Sequence, residues 1–439
     1  MASNREISGP GLEPACLAKA RIGVAAGLAV VALCLSPVPS AAQMLDNYIP
    51  TNLSGYDVDP GVTVTSRLRP QYASPGIRFG DVIVRPQITE SIGYDAVPVS
   101  GQRGGSTIVG TDASVRAETQ WSRHQLGMGV SVQDIRYLDL PRQSYTNWII
   151  GVGGSYDIGR DTLSAQYTHF SLNQLPTGID NTGLLQPQPY TTDAAKISYK
   201  TQLGPWTFIP SLLVAATRFA DVTNPDGSIR TGAVLDRNVE TASLETLYSF
   251  APQRSAVLVV RGTTAQYLGG QPRRNYNDIS VLGGLDYSTS GSFRYRALAG
   301  YQVRTYENRA FQNNSSPIVE ASVIWTPTGL TTVTGTAIYR IEDANEDTFI
   351  GYRYTQARVV VDHEYLRNVL LQGLASVQSA EYFQSGARQT VYSAGASVTW
   401  LLNRNVGLTG SYGYSSSQDS SQAQSYSRNI MLLQLRLAL

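Results

Sequence analysis

From about Val82 to Leu439 the chain repeats one pattern, sixteen or more short stretches of alternating apolar and polar residues with no helical interruption. In Ser292–Tyr306, Phe293, Tyr295, Ala297, Ala299, Tyr301 and Val303 share one face, and Arg294, Arg296, Gln302 and Arg304 share the other. A period of two describes a strand with one face in an apolar medium and the other in water. The last stretch turns Met431, Leu433, Leu435, Leu437 and Leu439 one way and Gln434 and Arg436 the other. A same-face aliphatic row on a final strand suits a closed membrane barrel, whose last strand pairs with its first so that no edge stays open in lipid.

Composition narrows the alternatives. Charged residues make up 15% and hydrophobic ones 42%, with a formal net charge of +1, which excludes a disordered chain and leaves no basic footprint for nucleic acid. No stretch after residue 42 approaches the ~18 apolar residues a spanning helix needs. Residues 1–42 read as a secretory signal: Lys19 and Arg21 form the basic part, Ile22–Leu35 the apolar part, and Ser40-Ala41-Ala42 the small-residue site, with cleavage expected after Ala42. Cys16 and Cys34 both lie in this leader, so the remaining chain needs no disulfide. Residues 43–76 are rich in Pro, Asn, Asp and Gly and read as a periplasmic lead-in, short for a plug.

Over residues 77–439 the pattern predicts an all-β, transmembrane, antiparallel up-and-down barrel of about eighteen strands. Tight connections such as Ile158-Gly159-Arg160-Asp161 and Leu203-Gly204-Pro205-Trp206 alternate with longer ones, including Ser171–Tyr190, Asp221–Asp236 and Glu342–Thr348. Short periplasmic turns and longer outer loops are the asymmetry of outer-membrane barrels. Trp121, Trp206, Trp325 and Trp400 fall beside short turns, with Phe250, Phe293 and Tyr365 near the same level, which predicts an aromatic girdle at one membrane interface. A β-sandwich core would scatter tryptophans along strand middles.

The opposite register assigns Lys196, Lys200, Asp286, Arg294, Arg296, Arg304, Glu320, Arg340, Arg358 and Arg436 to the lumen. Cross-strand pairing accounts for most of these charges. Arg294, Arg296, Arg304, Arg340 and Arg358 are also expected to make one sector of wall basic, able to grip carboxylates of acidic sugar polymers or of small anions by paired hydrogen bonds. The loop Ser171–Tyr190 either folds inward or lies over the mouth, and the acidic run Glu342–Asp347 reads as a solvated outer loop. His124, His169 and His363 share no metal-ligand spacing, and no nucleophile elbow or phosphate loop occurs, so no catalytic residue, metal or cofactor is expected. Gly151, Gly153 and Gly154 read as strand glycines rather than a cofactor loop.

Pro75-Gly76-Ile77-Arg78-Phe79-Gly80, Pro86 a few residues on, Gly93-Tyr94-Asp95, and the turn Trp121-Ser122-Arg123-His124 resemble the opening of the putative beta-barrel porin 2 family. The resemblance runs from about Pro75 to the C-terminus, with pattern rather than distinct motifs beyond the first hairpins. It implies an outer-membrane barrel in a Gram-negative bacterium, often linked to exopolysaccharide export. The expected function is therefore an export conduit, with a general diffusion porin for small solutes as the alternative, and an outer-membrane enzyme or a structural barrel behind both. The expected partners are outer-membrane lipid and lipopolysaccharide, the barrel-insertion machinery acting on the C-terminal strand, and periplasmic polysaccharide-export proteins. One departure from usual barrels is the final residue, Leu439 rather than an aromatic.

Overall fold

The computed structural model describes residues 63–67, 69–97, 104–180, 184–223, 227–269, 274–287, 292–345, 349–420 and 425–439. The expected signal segment lies outside the described residues. Eighteen long strands follow one another: β1 Val82–Asp95, β2 Ser106–Thr119, β3 Gln125–Tyr137, β4 Tyr145–Ile158, β5 Asp161–Gln174, β6 Gln188–Leu203, β7 Trp206–Phe219, β8 Arg237–Ala251 and β9 Arg254–Tyr267. The second half is β10 Tyr276–Tyr287, β11 Phe293–Tyr306, β12 Asn314–Thr328, β13 Thr331–Glu342, β14 Tyr352–Leu366, β15 Val369–Tyr382, β16 Arg388–Leu401, β17 Val406–Asp419 and β18 Tyr426–Ala438.

Each long strand pairs antiparallel with its chain neighbours, and β18 pairs with β1 from Gln87↔Ala438 to Asp95↔Ile430, which closes the ring. Closure satisfies every strand edge, the condition for a sheet to cross a membrane. A three-residue strand, Ile77–Phe79, lies against the start of β1.

The connections alternate as the barrel class requires. Gly159-Arg160, Gly204-Pro205 and Pro252-Gln253 each join two strands in two residues at one end of the barrel. Gly159 and Gly204 take φ of +65° and +60°, which glycine adopts without a Cβ clash, and this lets the chain reverse so tightly. The longer connections gather at the other end.

Side chains sort by register. Outward positions carry the exposed apolar residues, for example Leu212, Val281, Val303, Val359, Val398 and Leu433. Such a band in contact with solvent or lipid is what an apolar medium selects. Residues 83–94 and 238–250, whose alternation is weaker, are full strands all the same. Glu90 and Glu240 stand at outward positions there, and the Thr111 hydroxyl donates to Glu90 (2.8 Å). The buried apolar clusters lie largely inside the ring near the long-loop end, around Phe170, Leu172, Tyr190 and Phe219, and around Ile179, Tyr352, Tyr354 and Val391.

Candidate functional site

The lumen of an eighteen-strand ring is too wide for wall side chains to fill, so whatever narrows it must come from loops. Two do. The connection between β5 and β6 leaves the wall at Leu175 and reaches strands on the opposite side. There the Asp180 amide donates to Gln389 Oε1 on β16 (2.8 Å), and the Tyr426 hydroxyl on β18 donates to the Thr177 carbonyl (2.5 Å). Arg428 Nη1 donates to Thr177 Oγ1 (3.0 Å). Ile179, fully buried, packs with Tyr352, Tyr354, Ala380, Tyr382 and Val391. Asp180 holds φ +58°, a left-handed conformation that Asp tolerates better than most residues.

The connection between β13 and β14 meets it. The Asn345 amide donates to Asp180 Oδ2 (2.7 Å), joining the two loops inside the ring. Asp343 at the root of this connection receives Arg304 Nη1 from β11 (2.7 Å) and the Tyr276 hydroxyl from β10 (3.1 Å), with Arg237 Nε from β8 at 3.5 Å. Arg304 also lies 3.8 Å from the centre of the Tyr276 ring and bonds Asp278 (3.2 Å). Arg274 donates to the carbonyls of Ala344 and Phe349 (3.3 and 2.6 Å). Burial alone would push the Asp343 carboxyl up, but Arg304, Arg237, the Tyr276 hydroxyl and Arg274 together hold it below the ordinary carboxylate value.

This corrects the reading of the acidic run as a solvated outer loop: Glu342, Asp343 and Asn345 are buried. The physical reason is long-range, since the arginines that neutralise the run sit on strands far away in sequence. Glu346 and Asp347 lie outside the described residues.

At the short-turn end the chain before β1 enters the mouth. The Val64 amide donates to Thr332 Oγ1 on β13 (2.9 Å), and Val64 packs against Leu370 on β15 and Leu401 on β16. Arg69 Nη2 and Arg67 Nη1 both reach Glu364 Oε2 on β14 (2.8 and 3.3 Å). Residues 63–67 and 69–73 therefore occupy part of the mouth rather than hanging clear of it. The sequence reading missed these residues; an Arg-x-Arg pair facing an inward Glu was the available signal.

All ten residues assigned to the lumen stand at inward register positions: Lys196 and Lys200 on β6, Asp286 on β10, Arg294, Arg296 and Arg304 on β11, Glu320 on β12, Arg340 on β13, Arg358 on β14 and Arg436 on β18. They do not form the expected basic sector. Arg296 pairs with Glu245 and Asp286 (2.9 and 3.3 Å), Arg304 with Asp278 and Asp343, Arg340 with Glu342, and Glu320 receives Arg261 (3.0 Å). Of the five arginines in that sector, Arg294 and Arg358 form no ion pair among the described residues.

Trp206, Phe250, Phe293, Trp325, Tyr365 and Trp400 are exposed at outward positions beside the short turns, and Trp121 is exposed in the connection between β2 and β3. Trp148 faces outward on β4 toward the other end and stacks on His169 at 4.8 Å. The histidines remain separate: His169 bonds Asp193 (2.7 Å), His124 stacks on Tyr156, and His363 meets Thr331 (3.0 Å).

A closed eighteen-strand ring with an apolar outer band, an aromatic row and a polar lumen crossed by loops defines a porin-like transmembrane barrel. The chain belongs to the family described as Putative beta-barrel porin 2, whose model matches residues 69–439. Among solved structures, a BenF-like porin from Pseudomonas fluorescens Pf-5 is similar at 11% identity and TM-score 0.46, over 82% of this chain and 99% of that one. Pseudomonas aeruginosa OccK2 (OpdF), solved in complex with glucuronate, is similar at 13% identity and TM-score 0.45, over 81% and 98%. Acinetobacter baumannii OccAB3 is similar at 10% identity and TM-score 0.42, over 82% and 100%. No curated protein matches this sequence.

Proposed function

We propose that this chain is a passive channel for small hydrophilic solutes in the outer membrane of a Gram-negative bacterium. The observation that carries the reading is the meeting of Asp180 and Asn345 inside the ring, where anchored loops divide a lumen whose wall mixes charged, polar and aliphatic side chains. A channel so divided sieves small solutes and hinders a polymer that must thread without bending. Export of an exopolysaccharide, and with it partnership with periplasmic export proteins, is therefore not supported, and the paired arginines remove the basic track that such a polymer would have followed. The surroundings that fit this reading are lipid and lipopolysaccharide, with the insertion machinery acting on β18.

The test is single-channel conductance of the refolded chain in planar bilayers, with liposome swelling in sugars of increasing size. Ohmic conductance and uptake that falls steeply from mono- to oligosaccharides are expected. Absence of any conductance, or equal uptake of long oligosaccharides, would overturn the reading.

A further inference from the structure

Beneath the docked loop tip the inner wall carries a row that nothing above explains. The register places Thr336, Arg358, Ser376, Ser393 and Ser415 opposite one another on β13 to β17, all inward. Gln356 and Gln378 form a facing pair in the next row toward the loop. Gln389, which holds the tip, lies four residues beyond Ser393 along β16, about 13 Å at ~3.3 Å per residue. The row thus sits just below the constriction, in the path of any solute that passes it.

Arg358 stands with Arg294 and Arg436 as an inward arginine that forms no ion pair among the described residues. Arg296, Arg304 and Arg340 each hold a carboxylate. Arg358 holds none among the described residues, where its Nε is also buried with no partner. Gln378 Oε1 and Ser393 Oγ are likewise buried without a partner, their residues 4% and 7% exposed. Leaving a buried polar atom unmade costs about 1–3 kcal/mol. Several such atoms on adjacent strands, beside a guanidinium that forms no ion pair among the described residues, give this stretch of wall spare hydrogen-bonding capacity.

We infer that the Arg358 row is a binding subsite for a small hydroxylated carboxylate of the sugar-acid type. The guanidinium takes the carboxylate through its Nη1 and Nη2 edge by two parallel hydrogen bonds. Ser376, Ser393 and Gln378 to one side, and Thr336 to the other, exchange hydrogen bonds with the ligand's hydroxyls. A neutral sugar lacks the group that Arg358 needs, and a simple carboxylate such as acetate leaves the hydroxyl row unsatisfied. The inference rests on the channel reading for the ligand's route to the site.

The experiment is a ligand-detected saturation-transfer NMR titration of the full chain in detergent micelles, using sodium D-gluconate, D-glucose and sodium acetate, followed by bilayer current recordings with gluconate. Gluconate is expected to bind at least tenfold tighter than glucose or acetate. Arg358→Gln is expected to remove that preference, Ser393→Ala to weaken it, and Arg294→Gln, which alters another unpaired inward arginine, to leave it intact. Heat-modifiable gel migration of each variant establishes that the barrel has closed; should Arg358→Gln fail to close, Ser393→Ala and Arg358→Lys carry the comparison. Equal binding of gluconate and glucose, or no change in a closed Arg358 or Ser393 variant, would overturn the site. Gluconate binding without conductance would support the site and sink the channel; conductance without gluconate preference would do the reverse.

Discussion

Two segments enter this barrel from opposite ends and settle on the same side of the wall, yet they are held very differently. The β5–β6 loop is tethered to strands at both ends, buries Ile179 in a cluster of tyrosines and aliphatics, and bonds Gln389, Tyr426, Arg428 and the second loop. Residues 63–67 and 69–73 hold to the barrel through Glu364, Thr332 and the small contact of Val64 with Leu370 and Leu401. A segment held by few buried contacts opens at a lower local cost than one that buries an apolar anchor. The difference in buried contact makes the upper constriction the firmer of the two.

The largest effect is expected at Asp343. Replacing it with Ala leaves Arg237 and Arg304 buried without their shared carboxylate, a loss of about 3–5 kcal/mol. Urea unfolding should show the lower midpoint, and conductance should rise as the β13–β14 connection lifts; an unchanged midpoint would mean that Asp278 alone balances these arginines.

Next comes Ile179→Ala, which removes the buried anchor of the other loop at a cost of about 2–5 kcal/mol. Because that loss is local, open-channel noise and mean current should increase while the unfolding midpoint shifts less than for Asp343→Ala. Quiet channels of native size would show that hydrogen bonds alone fix the loop.

Glu364→Gln probes the other member of the comparison. It keeps the shape and weakens charge-assisted bonds worth about 1.5–3 kcal/mol, so residues 63–73 should leave the mouth more often. Labelling of a cysteine placed at Val64 should speed up, with only a modest rise in conductance. If labelling stays slow, the segment is as fixed as the loop and the distinction between the two collapses.

The smallest effect is expected from pH. Asp343 has a depressed pKa in the folded chain, so its contribution is complete above the unfolded carboxylate value of about 4 and is lost only as pH falls through the lower folded value. Conductance should therefore stay level from pH 8 to pH 5 and rise only in stronger acid. A rise already near pH 6 would mean that another group governs the upper loops.

Much of the barrel could be read from the chain because a strand advertises its faces locally. Phe293 through Val303 name the outward side without knowledge of any partner, and Trp206 and Trp400 mark an interface by standing beside tight turns. The lumen could not be read in that way. That Arg296 meets Glu245, three strands away, depends on register and curvature, neither of which is written in a period of two. Glu342 and Asp343 looked solvated because acidic neighbours in sequence suggest an outer loop, while their true environment is set by Arg237, Arg304 and Arg340. Arg358 was assigned to the lumen by alternation, but its isolation from acids emerged only once the other arginines had found theirs.

The pairing of β18 with β1 also dictates a timetable. Gln87 and Ala438 face each other although about 350 residues separate them, and bringing such distant points together costs on the order of 5 kcal/mol of chain entropy beyond a constant. No partial chain can complete the ring, because until the last strand is present β1 and the newest strand are both raw edges, ready to pair with any other chain. The polypeptide must therefore be kept apart from its copies for the whole interval between its first and last residues, and its assembly is slow and all-or-none at the seam.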